Sequence, residues 1–395
     1  MKPLKPSTLL LGFAAGMSPF GMAIVVPTLE LFAQEFQAPY STIQFIISAY
    51  LFGLASAQPI VGFLSDRIGR RPVMISGIFL FIFASIMCLV TDNLNTLIAF
   101  RFLQGMGGSV GTVMARAMIR DSMLSGDSAK PLSRVTAVMG MAPMIAPVVG
   151  AFAISLFGDP RSIFIVTLII GVIILIPVLF RLPETRKAEH IGSMSNELWH
   201  HKYRYLLSSK VFLGSTFIYG FTTGSFFAIL AVGSTVFSND LGINSTGFGL
   251  IWSSMTILYA SAAFLSGNLS MKIGLMSVMR IGMLLNLLSG VMFFTSIAIF
   301  GVTLFSIITP LVIMFFAHGF IVPTSMTKAV SDRPEIAGSS SGLSSALGLV
   351  TGGLFSILSG AVYAGSFLPI SFIVMASTIM CSLSYLLIKW GEKSN

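Results

Sequence analysis

Twelve apolar runs, at 9–30, 43–64, 73–92, 95–117, 133–156, 162–182, 211–234, 247–267, 275–298, 302–326, 339–362 and 367–389, punctuate this chain. Each is about 20 residues long, the length a helix needs to cross a hydrocarbon core of roughly 30 Å at about 1.5 Å per residue. Only 9% of the residues are charged. A soluble domain carries about 25%, so a water-soluble fold is excluded and the expected class is an all-α integral membrane protein. Lys2 and Lys5 precede the first run, but no small-residue cleavage pattern follows it, and it reads as a retained helix rather than a signal peptide.

Six runs lie on each side of a polar stretch at about 183–210. The octapeptide Gly62-Phe63-Leu64-Ser65-Asp66-Arg67-Ile68-Gly69, between the second and third runs, recurs as Gly267-Asn268-Leu269-Ser270-Met271-Lys272-Ile273-Gly274 between the eighth and ninth. A joint repeated about half a chain apart implies duplicated helical bundles. The expected division is a six-helix bundle at 1–185, a cytoplasmic linker at 186–208 with an amphipathic surface segment around Leu198 to Leu207, and a second six-helix bundle at 209–395.

Lys and Arg are retained on the cytoplasmic side during insertion. With the N-terminus inside, 21 of the 23 basic residues fall on that face, and only Arg101 and Arg161 do not. The N-terminus, the linker and the C-terminus are therefore expected in the cytoplasm. The net charge of +9 follows from this bias, with membrane lipid as the neighbour it suits and no nucleic-acid partner implied. Cys88 and Cys381 lie within apolar runs, far apart in sequence, and carry no metal or disulfide signature. No metal-ligand pair, nucleophile with base, or phosphate loop occurs within the spans, which disfavours an integral-membrane enzyme or receptor and implies no cofactor.

Three motifs carry a family resemblance. Gly62-x-Leu64-x-Asp66-Arg67-x-Gly69-Arg70-Arg71 resembles the loop motif between helices 2 and 3 of the major facilitator superfamily. Arg101-Phe102-Leu103-Gln104-Gly105-x-Gly107 is similar to its fourth-helix motif, and Ala146-Pro147-Val148-Val149-Gly150 resembles the Gly-Pro motif in helix 5 of its drug:proton antiporters. Arg116-Ala117-x-x-Arg120-Asp121, Ala142-Pro143-x-x-Ala146-Pro147, Ile163-Phe164 and Leu182-Pro183-Glu184-Thr185 look most like the Bcr/CflA-type drug-efflux proteins. The resemblance spans the chain. It implies the major facilitator fold of twelve transmembrane helices, a bacterial inner-membrane location, a small-molecule substrate, protons as coupling ion, a monomer, and efflux of small amphipathic compounds by alternating access.

Each motif also has a physical reading. Gly62 and Gly69 allow a tight reversal and close helix contact. Asp66 at the cytoplasmic mouth suits the start of a neighbouring helix, where the macrodipole favours an anion. The family architecture implies helix 11 as that partner, and Arg70 could pair with Asp121 at the end of helix 4. Such contacts, with Arg67, would form a conformational latch; the alternative is a fixed loop that satisfies turn geometry and topology. The second copy has Met271 at the acidic position, so no matching latch is expected there. Pro143, Pro147 and Gly150 are candidate hinges in helix 5.

Arg101 lies about six residues, or roughly 9 Å, into helix 4 from its outer end. A guanidinium at that depth is expensive unless it faces a cavity or a partner. It either binds an anionic substrate group, responds to protonation elsewhere, snorkels outward, or bonds to carbonyls of a kinked neighbour. The subfamily's usual helix 1 carboxylate is Ala23 here, and no Asp or Glu lies deep in any span. That departure argues against a polyspecific cation pump and leaves a carrier of an anionic metabolite or siderophore as the alternative. His318, the only histidine within a span, becomes the candidate proton-coupling group, because imidazole titrates near neutrality. Tyr50, Gln58, Gln104, Tyr219, Tyr259 and Asn286, with Phe226 from an aromatic cluster, are candidate substrate contacts; each also reads as interhelical glue or lipid-facing surface.

Overall fold

A computed structural model describes residues 6–122, 129–186, 199–332 and 337–394, without the side chains of Asp66, Arg120 and parts of 129–144, 199–202, 245–246 and 337–339. Its elements are all helical among these residues: α1 (Thr8–Ala23), a 3-10 turn (Val26–Thr28), α2 (Leu29–Glu35), α3 (Tyr40–Ile43), α4 (Phe45–Ile68), α5 (Arg70–Val90), α6 (Leu94–Ser122), α7 (Ala129–Phe157), α8 (Ser162–Arg181), α9 (Trp199–Ser208), α10 (Lys210–Asn239), α11 (Ser245–Ile273), α12 (Leu275–Phe300), α13 (Leu304–Ser331), α14 (Ala337–Val362) and α15 (Leu368–Ser394). Taking α1 with α2 and α3 with α4 as interrupted spans, and α9 as a separate linker helix, the spans number twelve. Ten of them are long and apolar enough by themselves to cross a membrane. The others are α6, which carries Arg101, Gln104 and Arg116, and α7.

The helices run past the apolar limits in several places. α10 continues to Asn239 and α11 to Ile273, because backbone hydrogen bonding does not stop where the hydrocarbon does. The first span differs more. It is no single helix: α1 ends at Ala23, and Pro27 sits in the 3-10 turn that precedes α2.

Chain contacts sort into two compact units, Met1–Gln37 with Phe45–Asn196 and Ala38–Gln44 with Glu197–Asn395. In the first, close helix packing depends on glycine. A methyl group at Gly105 would collide with the Tyr50 carbonyl, and one at Gly111 with the Ala14 carbonyl, so α6 lies backbone to backbone against α4 and α1. In the second unit Gly319 plays this part, with the Tyr259 carbonyl 2.5 Å from where its Cβ would stand. An apolar core of Val211, Ile218, Met279, Met283, Ile321, Cys381 and Ile388 joins α10, α12, α13 and α15. The linker helix α9 docks through Leu206, which packs with Phe212 and Ala329; there burial pushes the Tyr203 phenol above its ordinary pKa.

The repeated octapeptide keeps its shape. Gly69 has φ +100° and Gly274 φ +85°, each placed just before the next helix, in the left-handed region that glycine enters without steric penalty.

Candidate functional site

In the first unit the polar groups gather around the break in the first span. Beyond Ala23 the α-helical ladder stops, and the Gly21 carbonyl is taken instead by Arg101 Nη1 at 3.1 Å. Arg101 Nε donates to the Ile46 carbonyl at 3.2 Å, Nη1 also donates to Gln104 Oε1, and the guanidinium lies 4.3 Å from the centre of the Tyr50 ring. Tyr50 Oη donates to the Ser18 carbonyl at 2.9 Å. Gln104 Nε2 completes the set by donating to Ser85 Oγ at 2.7 Å and to Thr167 Oγ1 at 3.2 Å. Arg101, Tyr50 and Gln104 are all 0% exposed. Among the described residues no carboxylate pairs with Arg101, and its Nη2 is buried without a hydrogen-bond partner.

Of the possibilities open to Arg101, the structure displays bonding to carbonyls of a kinked neighbour. Snorkelling is not what it shows. The α7 residues meet the same break: a Cβ on Gly150 would stand 2.6 Å from the Ile24 carbonyl and 3.4 Å from Pro27 Cγ. Pro143 and Pro147 lie inside α7, which remains helical through both.

At the joint between α4 and α5, Arg70 Nε meets Asp121 Oδ2 at 2.8 Å, and Arg70 Nη1 donates to Ser65 Oγ at 2.6 Å. The partner that sequence reasoning passed over is Glu184. Its Oε1 accepts from the Arg70 backbone N–H and its Oε2 from that of Arg71, both at 3.0 Å, so a carboxylate sits on the N-terminus of α5. Arg71 Nη2 donates to the Leu179 carbonyl at 2.6 Å, and Arg67 lies 4.3 Å over the Phe63 ring. Gly69 is wedged beside Glu184: its Cβ would come 2.6 Å from Oε2. Among the described residues outside its own helix, nothing lies within 4 Å of where a Cβ on Gly62 would be. The Asp66 side chain, and with it the expected contact to the eleventh span, lies outside the described residues.

In the second unit His318 Nε2 lies 3.2 Å from Asn286 Oδ1 and 3.4 Å from Ser225 Oγ. Thr222 Oγ1 and Cys381 Sγ are 3.5 Å apart on neighbouring helices. Asn286 is 0% exposed, and among the described residues its Nδ2 meets no hydrogen-bond partner within bonding geometry. One residue along α10 from Ser225 begins an aromatic cluster: Phe226 lies 5.4 Å from Trp252 and 5.6 Å from Phe315, and Phe248 stacks on Trp252 at 5.6 Å. Trp252 and Phe315 were not singled out by sequence, because an isolated Trp or Phe in an apolar run carries no signal until the helices are packed. Tyr219 packs its ring against Gly348. Gln58 and Tyr259 are half-buried, on α4 and α11. No group of three or more potential metal ligands occurs among the described residues.

Comparison with known proteins decides the family. The family model described as the Major Facilitator Superfamily matches residues 11–357. The chain belongs to the major facilitator superfamily. It is therefore a multi-pass membrane transporter with the major facilitator fold. Its relatives include an uncharacterized MFS-type transporter, YdgK, of Bacillus subtilis, 29% identical over 95% of this chain and 93% of that protein. A bicyclomycin resistance protein homolog of Haemophilus influenzae is 24% identical over 95% of this chain and 94% of its own length. The multidrug resistance protein MdtL of Shigella dysenteriae is 35% identical over 44% of each chain. These names agree with the drug-efflux resemblance. Among solved structures, a bacterial homolog of the human lysosomal transporter Spinster superposes with a TM-score of 0.75 at 12% identity over 98% of this chain and 96% of that one. A D-xylose-proton symporter gives 0.73 at 16% identity, over 96% of each chain.

Proposed function

We propose that this superfamily member is a secondary active exporter of small amphipathic molecules across a bacterial inner membrane, driven by proton entry. The observation that carries the reading is the likeness, over nearly the whole chain, to a protein named for bicyclomycin resistance. The aromatic cluster of Phe226, Trp252 and Phe315 supports it, because such side chains stack lipophilic, planar molecules. Alternating access would rock residues 1–185 against 209–395 around a midplane site, with the 186–208 linker and both termini in the cytoplasm, the protein working as a monomer surrounded by lipid. The joint residues Gly62, Asp66, Arg67, Gly69, Arg70 and Asp121 would latch the cytoplasmic side, and Pro143, Pro147 and Gly150 would supply the bend. Arg101, Gln104, Tyr50, Gln58, Tyr219, Phe226, Tyr259 and Asn286 are the proposed substrate contacts. His318 is the proposed proton carrier, with Asn286 Oδ1 placed to accept its N–H.

A second reading, a carrier for an anionic metabolite or siderophore, draws on Arg101. It is a fully buried cation with, among the described residues, one unpartnered nitrogen and no carboxylate beside it. Flux in proteoliposomes under an imposed pH gradient separates the two. For the exporter, neutral amphipathic compounds move against the gradient, and His318→Ala keeps binding while losing the response to the gradient. For the anion carrier, Arg101→Lys abolishes binding, since a guanidinium reads a carboxylate bidentately and an ammonium does not. Flux and binding unaffected by both substitutions in folded protein would refute both assignments.

A further inference from the structure

The first span is interrupted where its end begins to carry charge. The Val25 carbonyl accepts from both the Thr28 N–H, at 3.0 Å, and Thr28 Oγ1, at 2.6 Å, closing the 3-10 turn around Pro27 that joins α1 to the short arm α2. Two contacts hold that arm to the start of α8. Phe32 stacks on Phe164 with centroids 6.3 Å apart, both rings fully buried. Glu35, at the end of the arm, pairs through Oε1 with Arg161 Nη2.

Arg161 is shared. Its Nη1 lies 3.0 Å from Asp92 Oδ1 beyond α5, its backbone N–H donates to Asp159 Oδ1 at 2.7 Å, and its guanidinium is 5.8 Å from the Phe36 ring. Glu35 therefore faces one cation, Arg161, and two other carboxylates, Asp92 and Asp159; the further charge on the arm, Glu30, is bonded by Gln34 Nε2 at 3.5 Å. When Glu35 takes a proton, the guanidinium stays with Asp92, and Asp159 still holds the Arg161 backbone N–H. The Glu35 and Arg161 side chains are 30% and 19% exposed, one at the end of α2 and the other just before α8.

We propose that the Glu35–Arg161 pair is a proton-operated clamp on the arm of the first span. Protonating Glu35 releases α2 while the Arg161 guanidinium remains with Asp92 and its backbone N–H with Asp159, and the turn at Val26–Thr28 lets the arm move without unwinding α1. This gives proton coupling a group at the end of a span in a chain with no acid deep in any span. The assignment of that end to the outside, and of the proton to the transport cycle, rests on the exporter reading above; the clamp itself does not.

Hydrogen exchange on the full-length protein in lipid nanodiscs, at pH 7 and pH 5 with the intrinsic pH effect removed, tests the clamp without any substrate. A partly exposed ion pair contributes little, so residues 29–36 in the wild type should lose about two- to five-fold protection at pH 5. Glu35→Gln should show the lower protection at both pH values, and Asp92→Asn should respond as the wild type does. Wild-type protection that does not change with pH, or Glu35→Gln that keeps the full response, overturns the clamp. In proteoliposomes, flux in Glu35→Gln should become insensitive to pH on the arm's side. If flux follows that pH as in the wild type, the coupling role is lost even though the arm responds; a wild type that moves no amphipathic compound counts against the exporter reading alone.

Discussion

A guanidinium held by three oxygen acceptors is a different object from one facing an open cavity. Arg101 donates to the Gly21 and Ile46 carbonyls and to Gln104, and the first of these would otherwise be left by the end of α1 with nothing to accept. Lysine cannot reproduce this, because its three donors radiate from one atom. Arg101→Lys should therefore destabilise the protein by about 1–3 kcal/mol, the penalty for leaving a buried polar group unpaired. Thermal unfolding of the purified protein without substrate measures this. An unchanged Tm would mean that Arg101 serves only as a ligand. The sequence announced the arginine and its depth, since a charge inside an apolar run stands out on its own. It could not announce which carbonyls would accept, since those two backbone atoms are 55 and 80 residues away. Glu184 escaped for the same reason: it stood in the text as part of Leu182-Pro183-Glu184-Thr185, while the N–H groups it receives belong to Arg70 and Arg71.

The helices themselves were legible because a run of apolar residues long enough to cross a bilayer has few other uses. Their interruptions were not. Pro19 and Pro59 lie inside α1 and α4 without ending them, whereas Pro27 sits in the 3-10 turn between α1 and α2. What distinguishes them is the surroundings, with Arg101 and Gly150 meeting the broken segment. Glycines divide in the same way, and this gives a paired test. Gly105 faces the Tyr50 carbonyl across a backbone contact, whereas Gly62 has no neighbour within 4 Å among the described residues outside its own helix. Gly105→Ala forces α4 and α6 apart and should sharply reduce folded yield, as overpacking typically costs about 1–3 kcal/mol or more. Gly62→Ala, within a helix, should be neutral or stabilising by up to about 1 kcal/mol. Size-exclusion profiles and Tm values of the two purified variants decide it. The reverse ranking would show that the glycine of the joint, not that of α6, makes the essential helix contact.

At the scale of the whole molecule the duplicated joint survives as backbone conformation while its chemistry diverges. Gly69 and Gly274 keep positive φ, yet the first copy is braced by Asp121 and Glu184 and the second carries Met271, 81% exposed, where the first has its acid. The second unit places its own ion pair elsewhere, between Lys328 of α13 and Glu392 of α15 at 2.6 Å. A duplicated fold with unequal joints can have the same topology in both halves and different conformational control in each. Topology follows from charge. Positive residues resist translocation when they lie within about 15–20 residues of a span, and 21 of the 23 here fall on one side only if the chain crosses twelve times from an inside N-terminus. Miscounting by one span would send the second half's basic clusters, Lys272 with Arg280 and Lys328 with Arg333, to the outer face. Reporter fusions after Lys5, Lys202 and Asn395 should therefore all be inaccessible from outside. An accessible reporter at Asn395 with the other two protected would place an odd number of crossings after the linker, and would overturn the count of six spans in the second half.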